Sequence, residues 1–258
     1  MTKILITGVS SGIGRELAKQ LVARGDFVWG ISRRKKLLLE LKNDLEDSKK
    51  FNFSSLDVTK LVEWRRLISR MRQDRFVPKV VIFNAAILEN DLRTGNGINL
   101  AVTRKVMETN YFSILSGLDE LMKFIKKKTK IIFIGSSAAF KGSGEAGVGY
   151  SGSKAALNSA FESLHQRFGE TYDFKIIHFG PVKTDMVPFN GKVMFMQSAE
   201  EAAGAIINAI DSTNKIFYSP WPLFFVLRLI KLLPSRIYLA VLRMIDSVHQ
   251  KNRKESSW

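Results

Sequence analysis

The chain has 258 residues, 45% of them hydrophobic, and its 40 Lys and Arg against 24 Asp and Glu give a net charge of +16. That length fits one large domain or two small ones, the apolar content excludes a disordered chain, and the absence of cysteine removes disulfides and thiolate chemistry. The basic excess raises affinity for phosphate in nucleotides, nucleic acid or anionic lipid without choosing among them.

Lys3-Ile-Leu-Ile6 is a short apolar run that ends in the glycine-rich turn Thr7-Gly-Val-Ser-Ser-Gly-Ile-Gly14. Leu17, Leu21 and Val22 then fall on one helical face that stops at Gly25, and Phe27-Val-Trp-Gly-Ile31 is the next strand. Strand, turn, helix and strand in that order form the βαβ unit of a parallel sheet. The alternation predicts a third strand over 53–58, a basic helix over 60–75 and a buried strand over 79–84. It continues with a long helix over 100–127 interrupted near Ser116-Gly117, a strand over 130–134, a helix over 150–168 and a sixth strand over 174–179. Ser198-Ala-Glu-Glu201 is a capping box opening a helix to about Ile210. The fold class is α/β, a Rossmann-type doubly wound parallel sheet in one domain over 1–219, with an apolar and basic helical tail over 220–258.

The N-terminal apolar run is too short for a signal peptide, and no run of about 18 uncharged apolar residues could span a membrane. A cytoplasmic location follows. His165, His178 and His249 are too scattered for a metal site, and neither His165 nor His178 is given a catalytic role.

Gly8, Gly12 and Gly14 lie between a strand and a helix, where glycine permits a tight turn and lets a phosphate approach backbone N–H groups at the helix N-terminus. The second strand ends in Ser32-Arg33-Arg34-Lys35-Lys36, with no acid until Glu40. An acid there would hold a ribose 2′-hydroxyl, whereas arginine can pair with a 2′-phosphate, so the cofactor is expected to be NADP(H). Tyr150 and Lys154 sit one helical turn apart on one face, and a neighbouring ammonium favours the ionised form of a phenol.

Together these residues resemble the short-chain dehydrogenase/reductase family over about Lys3 to Ile210. The turn, with Gly8, Ser10, Ser11, Gly12, Ile13 and Gly14, is similar to that family's T-G-x-x-x-G-[IL]-G. Asp57-Val58 falls where the family contacts adenine, and Asn84-Ala85-Ala86 resembles its N-N-A-G strand end. Asn110 matches its structural and proton-relay asparagine, and Ile134-Gly-Ser-Ser137 matches the strand end carrying its serine. The family's interval of about 13 residues from serine to tyrosine selects Ser137 over Ser136. Gly180-Pro-Val-Lys-Thr184, including Val182, resembles the segment at the nicotinamide end, with Phe179 in place of the usual proline.

The resemblance implies reduction of a carbonyl, or oxidation of an alcohol, with NADP(H). Tyr150 would exchange the proton and Ser137 would hold the oxygen. Lys154 would lower the tyrosine pKa and bind the nicotinamide ribose, and Asn110 would hold a relay water. The alternative is a catalytically idle NADP(H) sensor or scaffold on the same fold. Leu88, Phe140 and the methionine-rich segment 186–196 are expected on the substrate side, with an apolar carbonyl compound as substrate. No RNA-binding signature or recognition helix supports a specific nucleic-acid partner. The tail, with Pro220 to Pro234 nearly all apolar and a second helix over 235–250, is expected to cover the pocket, to form a homo-oligomer contact, or to lie in a membrane interface.

Overall fold

A computed structural model of the chain describes residues 1–92, 97–142, 144, 146–186, 195–241 and 243–244. Seven parallel strands form one sheet: β1 (Lys3–Thr7), β2 (Phe27–Ser32), β3 (Phe51–Ser55), β4 (Val80–Phe83), β5 (Lys130–Ser136), β6 (Asp173–Phe179) and β7 (Ile216–Ser219), in the order β3-β2-β1-β4-β5-β6-β7. β4, buried at all four positions, reads as an unbroken apolar run because both sheet faces are covered.

One face carries α1 (Gly12–Ala23), α2 (Lys35–Asp44) and α7 (Ala199–Asp211), whose Leu17, Leu21, Leu38, Leu41, Ala202 and Ile206 pack with Ile4, Ile6 and Ile132. The other carries α3 (Leu61–Gln73), α5 (Ser113–Met122) and α6 (Gly147–Phe168), which bury Trp64, Leu67, Leu118, Leu121, Leu157 and Phe161 against Leu5, Phe83 and Phe133. Each fully buried side chain of this size contributes about 1.5–3 kcal/mol.

Four sequence expectations shift. The third strand covers Phe51–Ser55 rather than 53–58, because Leu56 to Val58 leave the sheet for the turn at Asp57. The long helix is not broken at Ser116-Gly117. It runs from α4 (Leu100–Met107) through a π-helical turn, Glu108–Phe112, into α5. Gly117 sits inside α5, where an added Cβ would strike the Trp64 ring, so this glycine serves packing between helices. The α6 helix starts at Gly147, a turn before Tyr150. The seventh strand, β7, was not anticipated: it is only four residues long, at the sheet edge and partly exposed, and gives almost no periodic signal.

The capping box at the start of α7 is present: Ser198 Oγ accepts from Glu201 N at 3.1 Å, and Glu201 accepts from Ser198 N at 2.8 Å. In the tail, α8 (Trp221–Lys231) packs Phe224 and Leu227 inward and is followed by a helical stretch over 235–241. The expected continuation of that helix past residue 244, and most of the methionine-rich segment, at 187–194, lie outside the described residues. No described helix is long and apolar enough to cross a membrane.

Candidate active site

In this sheet the chain direction of crossing reverses between β1 and β4, and ligands of open α/β sheets bind outside the strand ends at such a point. The two strand ends are tied together there. Thr7 Oγ1 accepts from Asn84 N and Ala85 N, both at 3.0 Å, while Asn84 Nδ2 donates to Thr7 O at 3.0 Å and Gly8 O at 3.1 Å. Gly8 has φ +79°, and a Cβ on it would lie 2.8 Å from Ala85 Cα. A Cβ on Gly14 would strike Gly8 O and the Asn84 amide. The turn therefore closes only with glycine at both places, leaving an open cradle at the N-terminus of α1.

A cavity of about 680 Å³ extends from this cradle across the strand ends. It is lined by Gly8, Ser10, Ser11, Gly12, Ile13, Ser32, Arg33, Arg34, Asp57, Val58, Asn84, Ala85, Ala86, Tyr150, Lys154, Gly180, Val182 and Thr184. Of the residues singled out in the sequence, Gly14 and Asn110 stand behind the wall: Gly14 packs against Gly8, and Asn110 is fully buried. The lining also includes Ser136, the competitor that the interval set aside for Ser137, and Ile87, Glu89, Thr109 and Lys141, which sequence reasoning did not single out.

At the β2 end the Arg34 guanidinium lies over the glycine turn, donating to Ser10 Oγ at 2.7 Å and to Ser11 Oγ at 2.6 Å, and Ser32 Oγ donates to Ser10 Oγ at 2.7 Å. Arg33 flanks Asp57. Burial raises the pKa of that carboxyl, but hydrogen bonds from Thr59 N and Oγ1, with the charges of Arg33 and Lys60, outweigh it and hold the pKa below the usual value. Two guanidinium groups and three hydroxyls beside the glycine turn could hold the phosphates of a dinucleotide.

At the other end, the Ser136 hydroxyl lies close enough to the Tyr150 phenol to act on its pKa, lowering it. Ser136 ends the extended backbone of β5, and Ser137, which the interval of 13 residues selects, begins the following 3₁₀ turn. Ser137 lines the same cavity one residue further on. Ser136 Oγ also accepts from Ala138 N at 3.1 Å, which fixes its rotamer.

Burial raises the Tyr150 pKa above the ordinary phenol value, with the nearby Ser136 hydroxyl opposing. The lowering expected from Lys154 is not seen, because desolvation dominates in this enclosed site. Lys154 Nζ sits 5.7 Å from the Tyr150 ring centroid and donates to Ile134 O at 2.8 Å; burial brings its pKa down to about 8.

Asn110 lies in the π-helical turn. Its Oδ1 accepts from Ile87 N at 2.8 Å, and its Nδ2 donates to Ile87 O at 2.9 Å and Ser153 Oγ at 3.3 Å. The hydrogen bonds described for it clamp the strand-end loop to α6, and none of them reaches Lys154. Asp91, also unremarked in the sequence, holds the start of α6: its carboxylate accepts from Val148 N and Gly149 N, both at 2.7 Å, and from Thr103 Oγ1 at 2.6 Å.

On the substrate side Leu88 and Met186 line the cavity, but Phe140 does not. It packs edge-on to His178 at 4.8 Å and to Phe224 at 5.8 Å between ring centroids. His178 is fully buried and its pKa is pushed down to about 4, chiefly by that burial.

A doubly wound sheet with a phosphate cradle, and a half-buried tyrosine beside a buried lysine at its switch point, defines a dinucleotide-dependent oxidoreductase scaffold. The sequence pattern of the short chain dehydrogenases matches residues 2–209, and the chain belongs to that family of nicotinamide-dependent oxidoreductases. An uncharacterized oxidoreductase of Mycobacterium tuberculosis is 26% identical over 242 residues, covering 91% of this chain and 95% of the relative. The NADPH-dependent pterin aldehyde reductase of Arabidopsis thaliana is 24% identical over 218 residues, covering 82% and 90%. Among solved structures, a short chain dehydrogenase from Burkholderia cenocepacia in complex with NADP superposes with a TM-score of 0.70 at 21% identity, over 84% of this chain and 87% of that one.

Proposed function

We propose that the chain is an NADP(H)-dependent reductase of a carbonyl group, or in the reverse direction a dehydrogenase of the alcohol, with Tyr150, Ser136 and Lys154 at the reacting centre. The observation that carries this reading is the convergence of the Tyr150, Ser136 and Ser137 hydroxyls and buried Lys154 on the same cavity as Arg33 and Arg34. The NADPH-dependent Arabidopsis relative supports the choice of cofactor.

Gly8, Gly12 and the N-terminus of α1 would hold the pyrophosphate, Arg34 and Arg33 the 2′-phosphate, and Asp57-Val58 the adenine. Asn84 to Ala86, Gly180, Val182 and Thr184 would border the nicotinamide end. The bound cofactor supplies the hydride. The protein's task is to hold the substrate oxygen and move one proton. Ser136 Oγ–H donates to the carbonyl oxygen, and Tyr150 Oη–H, kept protonated by burial, delivers its proton as negative charge develops there. Lys154, with a pKa about 8, is a cation that can lose its proton near neutral pH, which suits a group that restores the tyrosine proton. Asn110 and Asp91 act as positioning residues, fixing α6 against Ile87 and α4.

The wall formed by Leu88, Ala138 and Met186 favours an apolar substrate. Ser136, Ser137, Tyr150 and Lys154 all border one cavity, which argues against an idle sensor.

The test is NADPH consumption with a panel of ketones, aldehydes and quinones, repeated with Tyr150→Phe. Turnover should vanish in the variant while NADPH binding, followed by fluorescence titration, stays within about twofold, since the phenyl ring keeps the packing. Parental turnover by Tyr150→Phe would overturn the reading.

A further inference from the structure

The α8 helix is apolar on two faces, and only one of them is used. Phe224 and Leu227 turn inward, with Phe224 4.9 Å from Tyr218 and 5.8 Å from Phe140 between ring centroids. Leu223 closes on the backbone of cavity-lining Gly180, where an added Cβ would come within 2.5 Å of it. On the outside, Trp221, Phe225 and Leu229 repeat every fourth residue with Val226 beside them, and all four are exposed, Trp221 at 70%. The apolar surface continues through Leu232, at 81% exposure, Leu233, Ile237, Leu239 and Met244. A surface helix of a water-soluble domain shows one apolar stripe, and a contiguous second one marks a site of contact.

Charge decides the occupant. Residues 220–258 contain seven Lys and Arg against two acids, Asp246 and Glu255, in a chain of net charge +16. Arg228, Arg236 and Arg243 are exposed on the same segment as the apolar side chains. A second copy would bring an equally basic fringe against this one, whereas an anionic bilayer accepts both the apolar side chains and the arginines. We infer that the outer face of α8 and the helical stretch after it dock the protein on an anionic lipid surface, in the interfacial plane rather than across it. This inference stands independently of the reaction proposed above, and its readout is binding rather than turnover. Docking would set the bilayer one helix away from the Gly180 wall of the cavity.

The test is co-sedimentation of the full chain with phosphatidylcholine vesicles with and without phosphatidylglycerol. The protein should pellet with the anionic vesicles and much less with the neutral ones. Phe225→Asp with Leu229→Asp should lower the partition constant more than about tenfold, from the loss of two inserted side chains. Arg236→Gln with Arg243→Gln should lower it severalfold, and added salt should do the same. All the changed residues are exposed, and unchanged thermal melts would verify that the variants fold. Equal partitioning of parent and variants would overturn the proposal. So would a parent that ignores vesicles and forms a dimer, by analytical ultracentrifugation, that the Phe225 and Leu229 substitutions dissociate; the face would then belong to a second copy.

Discussion

Ser136 and Ser137 are adjacent and both border the cavity, yet the proposed mechanism needs only one of them, and Ser136 is the one whose hydroxyl acts on the Tyr150 phenol. In Ser136→Ala the donor to the developing oxyanion is lost, which in comparable sites costs about 100- to 1,000-fold in kcat. The same change also removes the acceptor for Ala138 N, now 3.1 Å away. A lost hydrogen bond of this kind is worth about 1 kcal/mol, and in a chain of this size that lowers Tm by about 2–4 °C. Ser137→Ala deletes the neighbouring hydroxyl, which the proposed mechanism does not use, and kcat should change less than about threefold, the scale of an ordinary surface substitution. The assay is steady-state NADPH oxidation with the best substrate of the panel, accompanied by a thermal melt of each variant at the assay pH. The melt separates a chemical loss from a folding loss, since a shift of a few degrees leaves the protein folded at assay temperature. If Ser137→Ala suffered the hundredfold loss and Ser136→Ala did not, the sequence interval would outrank the geometry and the placement of the substrate oxygen would be wrong.

Arg34→Ala should raise KM for NADPH about 10- to 100-fold, the worth of a charge-assisted hydrogen bond or two, and change KM for NADH far less; equal shifts for both cofactors would remove the 2′-phosphate from its role. Lys154→Met should be inactive, yet more stable than the parent at pH 7. The folded pKa of Lys154, about 8, lies below the unfolded value, so the unfolded chain binds more protons between the two, and the parent gains relative stability as pH rises. The advantage of the methionine variant should therefore shrink from pH 8 toward about pH 10.4, and a difference in Tm that is flat with pH would contradict the buried, charged lysine. Asp91→Ala strips acceptors from Val148 N, Gly149 N and Thr103 Oγ1, and should cost about 3 kcal/mol by thermal or urea unfolding. Although burial raises the Asp91 pKa, the hydrogen bonds from Thr103, Gly149 and Val148 lower it on balance. The stability it adds is thus complete above the unfolded carboxylate pKa and fades as pH falls through the lower folded value, so parent and variant should converge in acid.

The parts of the fold that could be read from the chain are those whose periodicity is written into long, two-sided burial. β1, β2, β4, β5 and β6 are apolar runs because helices cover both faces, and α1 and α7 carry a single stripe with a recognisable start or stop. β7 and the π-helical turn had no such signal: one is a four-residue edge strand, and the other differs from an α-helix only in hydrogen-bond register. The glycine turn and the arginine pair were legible because phosphate chemistry restricts which residues can stand there. The choice between two neighbouring serines was not. An interval counts residues and is blind to whether the strand or the turn absorbs one, and both hydroxyls border the cavity. Asp91 stayed invisible for a related reason, since its partners lie 57 and 58 residues away at the start of α6.

The wall behind Ser136 shows how the catalytic and surface readings join. Gly135 has no room for a Cβ because His178 lies directly against it, and His178 in turn packs face-on to Tyr218 at 5.5 Å between ring centroids and contacts Phe140 and Phe224. With a pKa near 4 that imidazole is neutral at physiological pH, so it adds no charge to compete with Lys154 or to disturb the Tyr150 proton. The aromatic group thus backs the wall that carries Ser136, and Phe224 of α8 packs into it. A helix that supplies one residue to the backing of the active site while leaving Trp221, Phe225 and Leu229 bare on its other side connects the two regions by rigid packing. Loosening α8 from the sheet edge would therefore open the space behind Ser136, whereas polar substitutions on its outer face should leave the catalytic geometry untouched.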